Sequence, residues 1–265
     1  YYRPGHADYT FDEKYGFRDY RGGGRSSGRE TIGRVAAGAI AAKILKQLGI
    51  EITTYVSSIG DVQVSPENFN REYIMQNELY MPDKDSYERA SALLSDIMAA
   101  NDSIGSSVQC IIKGMPAGIG EPVFDKLDAN LAKAIMSIGA VKAIEIGDGC
   151  MVSENQGSYN NDNFSMKDGK VSKQSNHAGG ILGGMSDGSD IVIKAHFKPT
   201  PSIASTQHTV NKSGENIEVS IRGRHDPIIG PRAVVVVESM AAITVLDLLF
   251  DNMSSRLDKI IDFYS

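Results

Sequence analysis

The sequence predicts an α+β fold, with helices packed on mainly antiparallel sheets. Three observations predict it. Segments of strand-like and helix-like patterning take turns along the chain. The strand-like run IEITTYVSSI is β-branched and partly alternating. Apolar residues make up 41% of 265 residues, enough to bury one large core or two smaller ones.

The elements follow in order. From Glu30 to Leu48, the residues Ile32, Val35, Ala36, Ala39 and Ile40 recur at three- and four-residue steps, and the run stops at Gly49. That spacing predicts an amphipathic helix with these residues on its apolar face. IEITTYVSSI (50–59) predicts a strand. Asp85 to Asn101 returns to helical spacing through Tyr87, Ala90, Leu93, Leu94 and Ile97. SSVQCIIKG predicts a further strand, and the loop GMPAGIGEP leads into a helix from Phe124 to Met136, with VKAIEIG as the next strand. Residues 147–190 turn to Gly, Ser, Asn, Asp and Lys without a sustained period, which predicts long loops or a hairpin of the kind that often carries function. DIVIKAHF and NIEVSIRG are strands, and RAVVVVESMAAITVLDLLF after Pro231 is a long, mostly buried helix. No exact internal repeat is present.

The formal charge of −6 argues against a chain that coats nucleic acid or an anionic membrane, so anion binding has to be local. Cys110 and Cys150 form no disulfide framework and lack metal-ligand spacing. Both read as reduced thiols in a cytosolic-type compartment. No uninterrupted apolar run approaches the roughly 20 residues that cross a bilayer.

RGGGRSSGRE (21–30) permits three readings. Ser27 stands three residues before Glu30, the spacing of a capping box that opens a helix. The free N–H groups of that helix end, the open backbone of Gly22, Gly23, Gly24 and Gly28, and the forks of Arg21, Arg25 and Arg29 together make an anion cradle. The second reading is a solvated basic face paired with Asp8, Asp12, Glu13, Asp19 and Glu30. An RNA-binding arm is the third, disfavoured because the motif occurs once and runs straight into a capped helix.

RPGHADYTFDEKYGFRDYRGGGRSSGRET closely resembles the central signature of the chorismate synthase family. GMPAGIGEPVFDKLDANLAKAIMSIGAVKAIEIGDG, SNHAGGILGGMSDGSDIVIKAHFKPTPSI and IRGRHDPIIGPRAVVVVESMAA are similar to that family's later blocks, in the same order. The resemblance covers essentially the whole chain as a single domain, 1–265. It implies a phosphate-eliminating lyase that converts 5-enolpyruvylshikimate 3-phosphate to chorismate by 1,4-anti elimination, the last step of the shikimate pathway and of aromatic amino-acid biosynthesis. It also implies a cytoplasmic homotetramer with a β-α-β sandwich core, helices lying between mainly antiparallel sheets. The cofactor is reduced FMN, with NADPH as reductant in members that reduce their own flavin. Neither nucleic acid nor membrane is a partner.

Residue by residue, the resemblance carries flavin contacts onto Arg25, Ser26 and Ser27, Gly139 and Ala140, Gly183, the run Lys198, Pro199, Thr200, Pro201 and Ser202, and Arg224. These types suit the role: glycines admit close backbone, Lys198 supplies a point charge and Arg224 a fork. His6, in RPGHAD, matches a catalytic histidine that holds a proton of the reduced flavin, a task suited to a near-neutral pKa. Asp226, in GRHDP, matches the aspartate assigned to ring-proton removal. Taken alone, His6 is an ordinary loop histidine and Asp226 an Asp-Pro turn initiator. Arg3 and Arg29 match arginines near the substrate's carboxylates and phosphate. His177, His196 and His208 read as structural, and His225 as supporting.

Three departures from the pattern stand out. Gly28 replaces the alanine of RSSARE, and Gly139 stands where proline or asparagine is frequent. The family's GESHG segment, with its second catalytic histidine, is not in this sequence. The chain is therefore expected to lack the family's N-terminal segment and to be crippled on its own. The competing expectation is a truncated, non-catalytic remnant that only folds and oligomerises. A flavin oxidoreductase is disfavoured by the lack of a Rossmann fingerprint after a strand.

Overall fold

The structure, a computed structural model, describes the 265-residue chain apart from residues 21–23, 222, 224 and 225. Among the described residues the chain runs through α1 (Asp8–Tyr15), α2 (Thr31–Gln47), β1 (Glu51–Ile59), β2 (Val62–Gln63), α3 (Lys84–Ala99), β3 (Ser106–Lys113), α4 (Leu127–Met136) and β4 (Val141–Ile146). It continues through α5 (Gly157–Asn160), β5 (Phe164–Lys167), β6 (Lys170–Lys173), β7 (Ile181–Leu182), β8 (Met185–Ser186), β9 (Ile191–Phe197), β10 (Gln207–Val210), β11 (Asn216–Val219), α6 (Gly230–Asn252) and α7 (Leu257–Tyr264). One five-stranded sheet has the order β2-β1-β3-β9-β4, and β5–β6, β7–β8 and β10–β11 are separate two-stranded sheets. These hairpins and the β1–β2 pair are antiparallel, in agreement with the predicted α+β class.

The chain divides into two compact units. The first comprises Tyr1–Thr31, Tyr55–Ser107 and His196–Ala233; the second comprises Ile32–Thr54, Val108–Ala195 and Val234–Ser265. In the first unit, α3 starts because Asp83 accepts the Asp85 N–H at 3.0 Å, and its buried Ser86, Ala90 and Leu94 lie four residues apart on one face. The core there includes Val56, Ile59, Met81 and Phe197. In the second unit, α4 buries Leu127, Leu131 and Ile135 in the same way, and the core there also includes Leu45, Val108, Ile112, Ile191, Ile193 and Val245. Each such side chain contributes about 2 kcal/mol of hydrophobic stabilisation.

Three expectations are corrected. First, α2 buries Gly38, Ala41 and Leu45, not the predicted face; Ile32 and Ile40 are 72% and 64% exposed. Gly38 decides this, because a Cβ there would lie 2.2 Å from the Ser239 Cβ of α6: the helices approach through a position with no side chain. Second, α4 begins at Leu127 instead of Phe124, because the Glu121 N–H bonds the Asp125 carbonyl at 3.1 Å and closes a turn with Val123 at φ +76°. Third, Ser27 caps a short 3₁₀ turn, Gly28–Glu30, by accepting the Arg29 N–H at 3.3 Å, and the α-helix follows at Thr31. Helix α6 has 23 residues, and its most apolar 18-residue window has a mean hydropathy of 2.1, so it is long and apolar enough to cross a membrane by length and composition, although Glu238 and Asp247 interrupt its apolar run. Its most apolar window is 56% buried, and Val237, Ala241, Ala242 and Val245 are almost wholly so, as in a core helix.

Candidate functional site

The first unit brings RPGHAD and KPTPS together, about two hundred residues apart in sequence. The Tyr2 N–H bonds the Val210 carbonyl at 3.1 Å, and the Thr209 hydroxyl bonds the Tyr2 carbonyl, fixing the segment against β10. Arg3 to His6 then forms a turn, closed by the His6 N–H on the Arg3 carbonyl at 3.2 Å, with Pro4 and Gly5 in its centre and Gly5 at φ +70°. Proline followed by a positive-φ glycine is the chemistry of a type II turn. A Cβ on Gly5 would come within 2.6 Å of the Pro201 Cβ, so glycine is also what lets the two segments touch.

His6 sits half-buried in this contact. Its Nδ1 is 3.0 Å from the Pro4 carbonyl and its Nε2 is 2.9 Å from Ser202 Oγ. A carbonyl only accepts, so Nδ1 carries the proton; in the neutral ring Nε2 then accepts from the Ser202 hydroxyl. Burial lowers the pKa of His6 below its ordinary value, the Pro4 carbonyl opposes this, and the positive charges of Arg3 and Lys198 add to it. The Lys198 ammonium donates to the Gly5 carbonyl at 2.7 Å, which leaves two of its N–H donors. Thr200 has its carbonyl held by the Ser103 hydroxyl at 2.7 Å, while its own Oγ1 is buried without a hydrogen-bond partner. A buried hydroxyl of that kind costs about 1–3 kcal/mol unless something is there to receive it.

Asp8, in the first turn of α1, orients the turn from below. Its carboxylate accepts from the Arg3 backbone N–H at 2.9 Å, from Arg3 Nε at 2.9 Å and from Arg3 Nη2 at 2.8 Å. This contact holds the Asp8 carboxyl down at about 2. Arg3, predicted to meet substrate, thus has two of its side-chain donors committed to Asp8. A cavity of about 420 Å³ beside the pair is lined by Tyr1, Arg3, Asp8, Arg18, Tyr20 and Lys212. The composition carried no signal for Asp8 as an organiser; its five-residue spacing from Arg3 is neither helical nor alternating.

The remaining predicted residues lie as follows. Arg25, Ser26 and Arg29 are exposed and Ser27 is half-buried, on the two 3₁₀ turns that precede α2. Pro199 is exposed beside Lys198. Asp226 is exposed, with Oδ1 2.9 Å from Arg232 Nη2. Arg224, predicted to touch flavin, lies outside the described residues, as do Arg21, Gly22, Gly23 and His225. Gly139, Ala140 and Gly183 belong to the second unit. Ala140 is held at φ +74° in the turn closed by the Val141 N–H on the Ile138 carbonyl at 3.3 Å. A Cβ on Gly139 would meet nothing within 4 Å, and one on Gly183 would meet only Met185 Cε, at 3.8 Å. Both backbones are therefore open to a ligand. His177, read as structural, bonds Asp148 at 2.6 Å through Nδ1. Among the described residues no group of three or more His, Cys, Asp or Glu side chains is placed to hold a metal.

Compared with known proteins, residues 1–250 match the family model described as Chorismate synthase. A curated Chorismate synthase of Agathobacter rectalis is 64% identical over 264 residues, which is 100% of this chain and 72% of the relative. That of Lachnospira eligens is 62% identical with the same coverage, and that of Campylobacter fetus is 49% identical over 264 residues. A solved structure, described as Crystal Structure of Chorismate Synthase, superposes with a TM-score of 0.76 at 28% identity, over 92% of this chain and 70% of that one.

Proposed function

Because the chain belongs to the chorismate synthase family, we propose that it works with reduced FMN to eliminate phosphate from 5-enolpyruvylshikimate 3-phosphate, giving chorismate. The observation that carries the proposal is the meeting of RPGHAD with KPTPS, where His6 Nε2 lies 2.9 Å from Ser202 Oγ and Lys198 Nζ lies 2.7 Å from the Gly5 carbonyl.

The residues fit a flavin. In the first unit, the orphaned Thr200 hydroxyl and the spare donors of Lys198 suit a ligand with polar edges and a phosphate; in the second unit, taken by itself, the open backbones of Gly139 and Gly183 admit close approach of a ligand. Arg25, Ser26, Ser27, Ala140, Pro199, Pro201, Ser202 and Arg224 complete the proposed flavin contacts. Reduced FMN, when held there, would supply transient electron density for cleavage of the allylic C–O bond with no net redox change.

The side chains around it handle protons and charge. His6, kept neutral by burial, has Nε2 as a proton acceptor, and the Ser202 hydroxyl on that atom fixes the ring plane. Asp226 is the proposed acceptor of the ring proton, with Arg232 holding one of its oxygens. Arg3, aligned by Asp8, and the exposed Arg29 are the proposed partners of the substrate's anionic groups. The single-domain expectation, a homotetrameric state, a cytoplasmic location and NADPH as reductant belong to the same proposal. The exposed apolar side of α2, with Ile32, Ile40 and Ile44, supports self-association, and the free thiols Cys110 and Cys150 support a reducing compartment.

The test is anaerobic FMN binding followed by chorismate formation with chemically reduced FMN, on this chain and on one extended at its N-terminus to the relatives' length. Flavin binding with turnover supports the proposal; no flavin binding in either chain overturns it and leaves a non-catalytic remnant. In whichever chain turns over, His6→Ala is expected to lower kcat by about 10²–10⁴, the range of a single acid–base group.

A further inference from the structure

The polar segment between β4 and β9 is organised around one buried cation. Lys173, the last residue of β6, has a side chain only 2% exposed. Its ammonium donates to Asp162 Oδ2 at 3.1 Å, to Asn176 Oδ1 at 3.2 Å and to Asp187 Oδ2 at 2.7 Å, so all three of its donors are used.

Each acceptor in turn grips backbone. Asp162 takes the N–H of His177 at 2.8 Å and of Ala178 at 3.0 Å, with the Ser175 hydroxyl at 2.7 Å. Asn176 Oδ1 takes the Gly180 N–H at 2.8 Å. Asp187 takes the Ser189 N–H at 2.8 Å and sends its own N–H to the Gly180 carbonyl at 3.0 Å. Two carboxylates against one ammonium leave an excess negative charge, and these backbone dipoles meet it.

Gly180 and Asp187 are the two feet of the β7–β8 hairpin, in which Ile181 pairs with Ser186 and Leu182 with Met185. Its two central residues, Gly183 and Gly184, have φ of +62° and +83°, the requirement of a type I′ turn. The tip is asymmetric. The Gly184 carbonyl accepts the Leu127 N–H at 2.8 Å and a Cβ on Gly184 would strike the Lys126 side chain at 2.5 Å, whereas Gly183 is open.

We propose that Lys173 is a positioning residue for flavin binding: by tying both feet of this hairpin to one buried ammonium, it fixes where the Gly183 backbone stands. The inference rests on the flavin reading above. Burial of an ion triad is by itself weak support for stability, so the role has to show in binding.

The experiment is a double-mutant cycle on FMN affinity, read by flavin fluorescence, with Lys173→Met, Gly183→Ala and the pair, all in the 265-residue chain. Lys173→Met is expected to weaken FMN binding by about tenfold, and the double variant to bind no more weakly than the weaker single one, because both changes act through the same backbone. Should Lys173→Met lose its native circular dichroism, Asp187→Asn replaces it in the cycle. Unchanged affinity, or losses that multiply, overturns the positioning role while the flavin reading stands. If the 265-residue chain binds no FMN, the cycle is run in the extended chain of the test above; no FMN binding in either chain overturns both.

Discussion

Replacing Asp8 by asparagine removes the charge that aligns Arg3 but keeps the shape of the side chain. The carboxylate is buried, and the Arg3 guanidinium brings its pKa from 3.8 down to about 2, against the opposing effect of burial. At about 1.4 kcal/mol per unit, the shift is worth about 2 kcal/mol of folding stability. A carboxyl with a depressed folded-state pKa binds fewer protons than in the unfolded chain. Its contribution is therefore complete above pH 4 and is lost as pH falls through 2, with about half gone by pH 3. The assay is urea unfolding of both proteins at pH 7, 5, 4 and 3. The wild type is expected to be more stable than Asp8→Asn by about 2 kcal/mol at pH 7 and by about 1 kcal/mol at pH 3. A gap that stays constant with pH would refute the ion pair as the source, since a packing or shape effect has no reason to titrate.

Two further outcomes concern packing and thiols. Gly38→Ala removes a flexible residue from the interior of α2, which by propensity alone stabilises a helix by about 1 kcal/mol. Its Cβ would instead stand 2.2 Å from Ser239 Cβ, and the expected net result is a loss of about 1–3 kcal/mol in thermal unfolding. With an aromatic disulfide reagent, the exposed Cys150 is expected to react in the native state, faster as pH rises and its thiolate forms, and more slowly near neutrality than an ordinary thiol because the neighbouring Glu145 raises it. Cys110, its thiol pushed by burial up to about 12, should react only after denaturant is added.

The order of elements was legible because periodicity needs only local residues: the α3 spacing of Ala90 and Leu94 buries the predicted side, and β9 forms where a strand was predicted, burying Ile191, Ile193, Ala195 and Phe197 in alternation. Helix α2 was not, because it is apolar nearly all round and no period says which stripe faces inward; the missing side chain at Gly38 chose. In the first unit, His6 and Ser202 were legible only through resemblance to a family, since no local rule joins residues so far apart. The Lys173 triad was missed for the same reason. Lysines, aspartates and asparagines in a polar loop read as solvated surface until the structure shows their charges meeting inside.

The division into units has a consequence for how the molecule is made. Each unit is assembled from three separated stretches of chain. On the ribosome the first unit is not complete until Ala233 has emerged, and the second needs residues up to the C-terminal stretch. No single cut leaves both units whole, since each one's stretches are interleaved with the other's. Neither core can close before its last stretch has been made, so the nascent chain carries apolar segments of both units unpaired until late in synthesis.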